Sequence, residues 1–120
     1  MYQIQKNSFG ENHVAVAITI HSQAEIYTKM KNMHDAIKAY DKVKKIISKV
    51  SGKHSIMVAT VLVKISMLYY EQQKHLSKAG KNCCTALKIF KKEGMDDSSL
   101  QVVETNRLLA DIKALSLVRT

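Results

Sequence analysis

Apolar residues at positions 58, 61, 62, 65, 68 and 69 recur at i, i+3, i+4 and i+7 within the run from Met57 to Lys74. That spacing places them on one side of a helix and predicts an element with a single buried face. Sliding the sequence by 42 residues finds the same pattern upstream: Gly10 falls on Gly52, Val16-Ala17 on Val58-Ala59, Ile20 on Leu62 and Ile26-Tyr27 on Leu68-Tyr69. A second helix follows each copy. Ala36, Tyr40, Val43 and Ile46 recur as Ala79, Cys83, Ala86 and Ile89 at an offset of 43, so the later copy carries one extra residue between its helices. Downstream, Val102, Leu109-Ala110 and Ile112 match Val58, Ile65-Ser66 and Leu68 at an offset of 44. The chain is therefore expected to fold as two helix pairs and one further first helix, over about 14–30, 34–50, 55–72, 76–92 and 98–117.

The breaks between these stretches carry the matching signals. Gly10, Gly52 and Gly94 each precede a first helix, and turns are expected at Lys31-Asn32-Met33 and near Gln73-Lys74. Ser55 is a predicted N-cap, and Asp96-Asp97-Ser98-Ser99 supplies acceptors and negative charge where the last helix starts. Gly80 falls inside a helix, where it either costs about 1 kcal/mol against alanine or admits a close neighbour. Ile4 precedes Gly10 by as much as Ile46 precedes Gly52, so residues 1–9 read as the tail of a preceding helix or a flexible N-terminus. The expected organisation is then that segment, a repeat at 10–51, a repeat at 52–93 and a terminal, capping helix at 94–120. In that helix Asn106 and Lys113 stand where copy one has Ile20 and Tyr27, polar groups suited to an end helix that nothing further covers.

A small residue in the first helix, a tyrosine three further on, then an alanine and an aromatic in the second form a known pattern. Ala24, Tyr27, Ala36 and Tyr40 supply it in copy one, and Ser66, Tyr69 and Ala79 in copy two. The chain thus resembles the tetratricopeptide repeat family over roughly residues 2 to 113. Its period exceeds the roughly 34 residues of ordinary units. With the lead-in Gly10-Glu11-Asn12-His13 and the run from Val58 to Gln72, that longer period is similar to the kinesin-light-chain type of repeat. The resemblance implies an all-α, right-handed superhelix of antiparallel helix pairs that binds other proteins. Where kinesin-light-chain repeats carry an Asn-Asn pair, this chain departs, with His21-Ser22, Val63-Lys64 and Arg107-Leu108.

The concave surface of such an array is lined by the first helices. It predicts a peptide-binding groove with His21, Glu25 and Thr28 from copy one, Lys64, Met67 and Tyr70 from copy two, and Arg107 from the last helix. Neighbouring positions Ile18, Ser22, Lys29, Thr60, Val63, Glu71, Glu104, Leu108 and Asp111 belong to the same faces. Apolar anchors, cations and hydrogen-bonding groups in one groove suit an extended or short helical peptide.

Charge adds a second surface. The formal balance is +9. Lys38, Lys42, Lys45 and Lys49 recur at i, i+4, i+7 and i+11, and the row reappears 43 residues on as Lys81, Thr85, Lys88 and Lys92. Two parallel basic rows on the convex side are expected, favouring a partner of acidic character. Arginine is confined to Arg107 and Arg119, and no aromatics are interleaved with the lysines, which argues against nucleic acid.

Chemistry of other kinds finds no foothold. His13, His21, His34, His54 and His75 lack metal-ligand spacing, and no phosphate loop, nucleophile elbow or set-apart carboxylate pair occurs. Cys83 and Cys84 are neighbours on a helix and point about 100° apart, so they do not pair. Neither an enzyme nor a cofactor or metal is expected. Without an 18-residue apolar run or a signal-peptide core, the expected location is cytoplasmic, with cytoskeletal or ciliary association as one form of it. The leading reading is a protein-binding adaptor. The alternatives are an assembly element that self-associates through its terminal helices, and polyanion binding through the lysine rows.

Overall fold

The repeat offsets fix where the chain turns, and the backbone follows them. A computed structural model describes the backbone over residues 9–119 and the side chains over 15–118. Five helices make up the described residues, with no strand: α1 (Phe9–Lys29), α2 (Met33–Ser51), α3 (Ile56–Gln72), α4 (Leu76–Lys92) and α5 (Leu100–Arg119). The chain is all-α, as its periodicity predicts. It divides into two units, Met1–Lys53 and His54–Thr120. The segment read as a preceding helix tail lies outside the described residues save for Phe9, which opens α1. Gly10 thus lies within a helix and not ahead of one.

In the first unit α1 packs against α2. α1 ends in a Schellman motif: the Lys31 N–H donates to the Thr28 carbonyl (3.1 Å) and the Asn32 N–H to that of Tyr27 (2.8 Å), with Lys31 left-handed at φ 65°. The Asn32 amide then donates to Asp35 (2.7 Å), whose carboxylate sits in the first turn of α2. Ala17 and Ala24 are buried on α1, and Ala36, Ala39, Tyr40, Val43 and Ile47 on α2. Ile47 takes the fully buried position that the repeat alignment gave to Ile46, which is half-buried.

In the second unit α3 packs on α4, and α5 seats against both. Ser55 caps α3, its hydroxyl accepting the Val58 N–H at 3.3 Å. Val58, Ala59, Val61, Leu62, Ile65, Ser66 and Leu68 are buried. α3 ends as α1 does, 42 residues on: the Gln73 N–H donates to Tyr70 and the Lys74 N–H to Tyr69, with Gln73 at φ 56°. On α4 the buried face is Ala79, Cys83, Ala86, Ile89 and Phe90, and α5 answers with Val102, Thr105 and Ile112. Ala79, Cys83 and Ile112 form a core cluster under Tyr69, Tyr70, Leu76, Leu108 and Leu109. Ser66 is fully buried, and its hydroxyl lies 2.9 Å from the Leu62 carbonyl and 3.0 Å from that of Ala79 across the helix pair. A Cβ on Gly80 would meet Leu109 at 3.9 Å and Ile112 at 4.0 Å, ordinary contact distances, so no close helix approach demands this glycine.

Candidate functional site

Burial of one face of α3 leaves Thr60, Val63, Lys64 and Met67 along another, at i, i+3, i+4 and i+7. α5 faces them with Gln101, Glu104, Arg107, Leu108 and Asp111, and the Phe90 ring of α4 closes the floor. Together they bound a groove of about 600 Å³. Of the residues expected in a peptide groove, Lys64, Met67 and Arg107 are brought together here. The adjacent positions Thr60, Val63, Glu104, Leu108 and Asp111 join them. Two cations and two carboxylates line the walls, and no ion pair consumes them among the described residues. Each remains available to a ligand. Tyr70 is placed elsewhere: it packs on the Ala79–Cys83–Ile112 cluster and does not line the groove.

His21, Glu25 and Thr28 stand one turn apart along α1 in the first unit. His21 Nδ1 lies 4.0 Å from Glu25 Oε1, and the imidazole meets the Tyr40 ring edge-on at a centroid distance of 5.4 Å. Thr28 donates its hydroxyl to the Ala24 carbonyl at 2.9 Å. Burial and the nearby Glu25 carboxylate push the Tyr40 phenol above its ordinary range, partly offset by a hydrogen bond with Thr28. The three residues therefore gather round Tyr40. Sequence alone makes Tyr40 a core position and misses its place in this set, since the contact depends on the register of α2 against α1.

The lysine rows are exposed, each within its own unit. Lys38, Lys42, Lys45 and Lys49 line α2, and Lys81, Lys88 and Lys92 line α4. Lys45 shares Asp41 with Lys44, at 3.4 and 3.5 Å. Cys83 is buried and Cys84 exposed. Burial raises the Cys83 thiol pKa, with a Ser66 hydrogen bond pulling the other way. Ahead of α5, Asp96 accepts from the Ser98 N–H (3.0 Å) and hydroxyl (2.6 Å), which holds its carboxyl below the usual range. Among the described residues, no helix is long and apolar enough to cross a membrane. No group of three or more His, Cys, Asp or Glu is placed to hold a metal ion there either.

A family model described as tetratricopeptide repeat matches residues 16–92, which takes in most of α1 and all of α2, α3 and α4. No curated protein matches the chain.

Proposed function

The chain belongs to the tetratricopeptide repeat family, whose members mediate contacts between proteins, and from that premise we propose a non-enzymatic adaptor that holds a peptide segment of a partner in the α3–α5 groove. The observation that carries this reading is the meeting of Lys64, Met67 and Arg107 in one cleft of about 600 Å³. Met67, Val63 and Leu108 offer an adaptable apolar wall for an anchoring side chain. Lys64 and Arg107 donate to carboxylates or to the peptide's carbonyls, Arg107 in a two-pronged fashion. Glu104 and Asp111 accept from its N–H groups. The partner segment thus carries apolar anchors with an acidic group between them. On α1, His21, Glu25 and Thr28 offer a smaller set of the same kind.

Unbiased peptide display on the purified protein, run in parallel on a Lys64→Glu/Arg107→Glu variant, tests the proposal. A hydrogen bond to a charged group contributes about 1.5–3 kcal/mol, so the variant should lose its enriched motif or bind it at least about tenfold more weakly. An unchanged motif and affinity would remove the groove from the function.

A second reading rests on the exposed lysines, of which only Lys45 is ion-paired among the described residues. It assigns the α2 row to a polyanionic partner. Changing Lys38, Lys42, Lys45 and Lys49 to glutamate separates the two: the groove motif survives this change, whereas merely acidic enrichment does not.

A further inference from the structure

Inside the second unit a helix has already been received by a groove once. α5 seats against both α3 and α4. α4 and α5 in turn leave a groove of about 490 Å³, separate from the α3–α5 cleft, and no helix among the described residues fills it. Its floor is Leu76, Leu109 and Ile112, with Gly80 contributing no side chain. Its rim carries Lys81, Lys88 and Lys113, and no carboxylate lines it. None of these three lysines forms an ion pair among the described residues.

The repeat itself indicates the shape of the occupant. Ala24 and Ser66, the matching small residues of α1 and α3, are fully buried, and Ser66 reaches the α4 backbone at Ala79. Ala110, which matches them on α5, is exposed. α5 therefore presents, beside the groove and meeting its rim at Lys113, the small-residue face that on α3 receives a helix. Asn106 and Lys113 replace the apolar Leu62 and Tyr69 of α3 on this face, so it is not built to be sealed permanently in a core.

We propose that the α4–α5 groove docks an amphipathic helix of a partner protein, one that carries carboxylates beside an apolar ridge. Charge selects this occupant. Lys81 and Lys88 stand two turns apart on α4 and Lys113 faces them from α5, so carboxylates at helical spacing on the incoming element meet all three. A second copy of this chain would bring its own formal charge of +9 against the same lysines, and like charges in register are repelled.

Cys84 supplies a local reporter, because it is exposed and lines this groove while Cys83 is buried. The probe is a stapled helical peptide of the length of α4 with leucines along one face and glutamates beside them. Its control has lysines in place of the glutamates. The acidic peptide is expected to slow alkylation of Cys84 about tenfold at roughly ten times its Kd, with protection fading as salt rises. The Lys81→Glu/Lys88→Glu/Lys113→Glu variant, confirmed as folded by circular dichroism, is expected to lose that protection and to be protected by the basic peptide instead. Equal protection by both peptides, or unchanged protection in the folded variant, overturns the proposal. Protection that grows with protein concentration alone assigns the groove to a second copy and likewise overturns it. The Lys64→Glu/Arg107→Glu variant should behave as the parent does, which keeps this result independent of the α3–α5 groove.

Discussion

Replacing Gly80 by alanine is expected to stabilise the second unit. Gly80 lies inside α4, and its missing Cβ would stand 3.9 Å from Leu109 and 4.0 Å from Ile112, so the added methyl makes contacts without strain. Helix propensity favours alanine by about 0.8–1.0 kcal/mol. The new contacts add less than the roughly 0.8 kcal/mol of a fully buried methylene, because the position is only half-buried. The sum is about 1–1.5 kcal/mol, or a rise of about 3–8 °C in Tm for a chain of this size. Thermal and urea unfolding followed by circular dichroism measure it. Gly52→Ala is the control with the opposite sign. Gly52 adopts φ 92°, ψ 160°, a glycine-only region, and a Cβ added there would find nothing within 4 Å, so the loss of about 1–3 kcal/mol comes from backbone strain alone. Should Gly80→Ala lower stability, α4 and α5 approach more closely than the contact distances imply, and the reasoning fails.

Three further outcomes are expected. Ser55→Ala should cost about 1 kcal/mol by removing the acceptor for the Val58 N–H, read as a lower urea midpoint at unchanged slope. Tyr40 ionises in the folded state above its ordinary 10.0, so its contribution to stability is complete below pH 10 and falls as the pH climbs toward the folded-state value. Tyr40→Phe should therefore flatten the alkaline decline in unfolding free energy, and an equally steep decline in the variant would contradict this. With a thiol reagent and mass spectrometry, the native protein should take up label at Cys84 alone, and Cys83 should react only on denaturation.

Much of the fold was legible because the repeat supplied its own cross-check. α4 begins and ends at the expected residues, and Ser55 caps α3, since a hydroxyl at that position has a definite backbone partner. Gly10 misled because glycine marks a seam only by tendency, and a helix tolerates it. Ile46 and Ile47 are both apolar and differ by one helical step, so periodicity did not decide which of them is buried. Along the candidate groove, the faces of α3 and α5 followed from spacing, which brought in Lys64, Met67 and Arg107. Tyr70 did not follow: it packs on the core cluster with Tyr69 and is not part of the groove lining. The set around Tyr40 and the lysine-rimmed α4–α5 groove both depend on how one helix sits against the next, which a single sequence does not display.

The left-handed residues that close α1 and α3 bear on the order of events during folding. Lys31 and Gln73 hold their turns with side chains attached, as His75 does beside the second, where Gly94 closes α4 at no such penalty. A left-handed conformation costs an ordinary residue roughly 1–2 kcal/mol, so neither hairpin turn is a preformed hinge that could nucleate its own pair. Each is expected to take shape only as its helices dock. In the transition state the helix faces should therefore be substantially formed and these turns still loose, with φ-values near zero at Lys31 and Gln73 and higher along Val43 and Leu62. The chain would assemble from its helices inward to its bends.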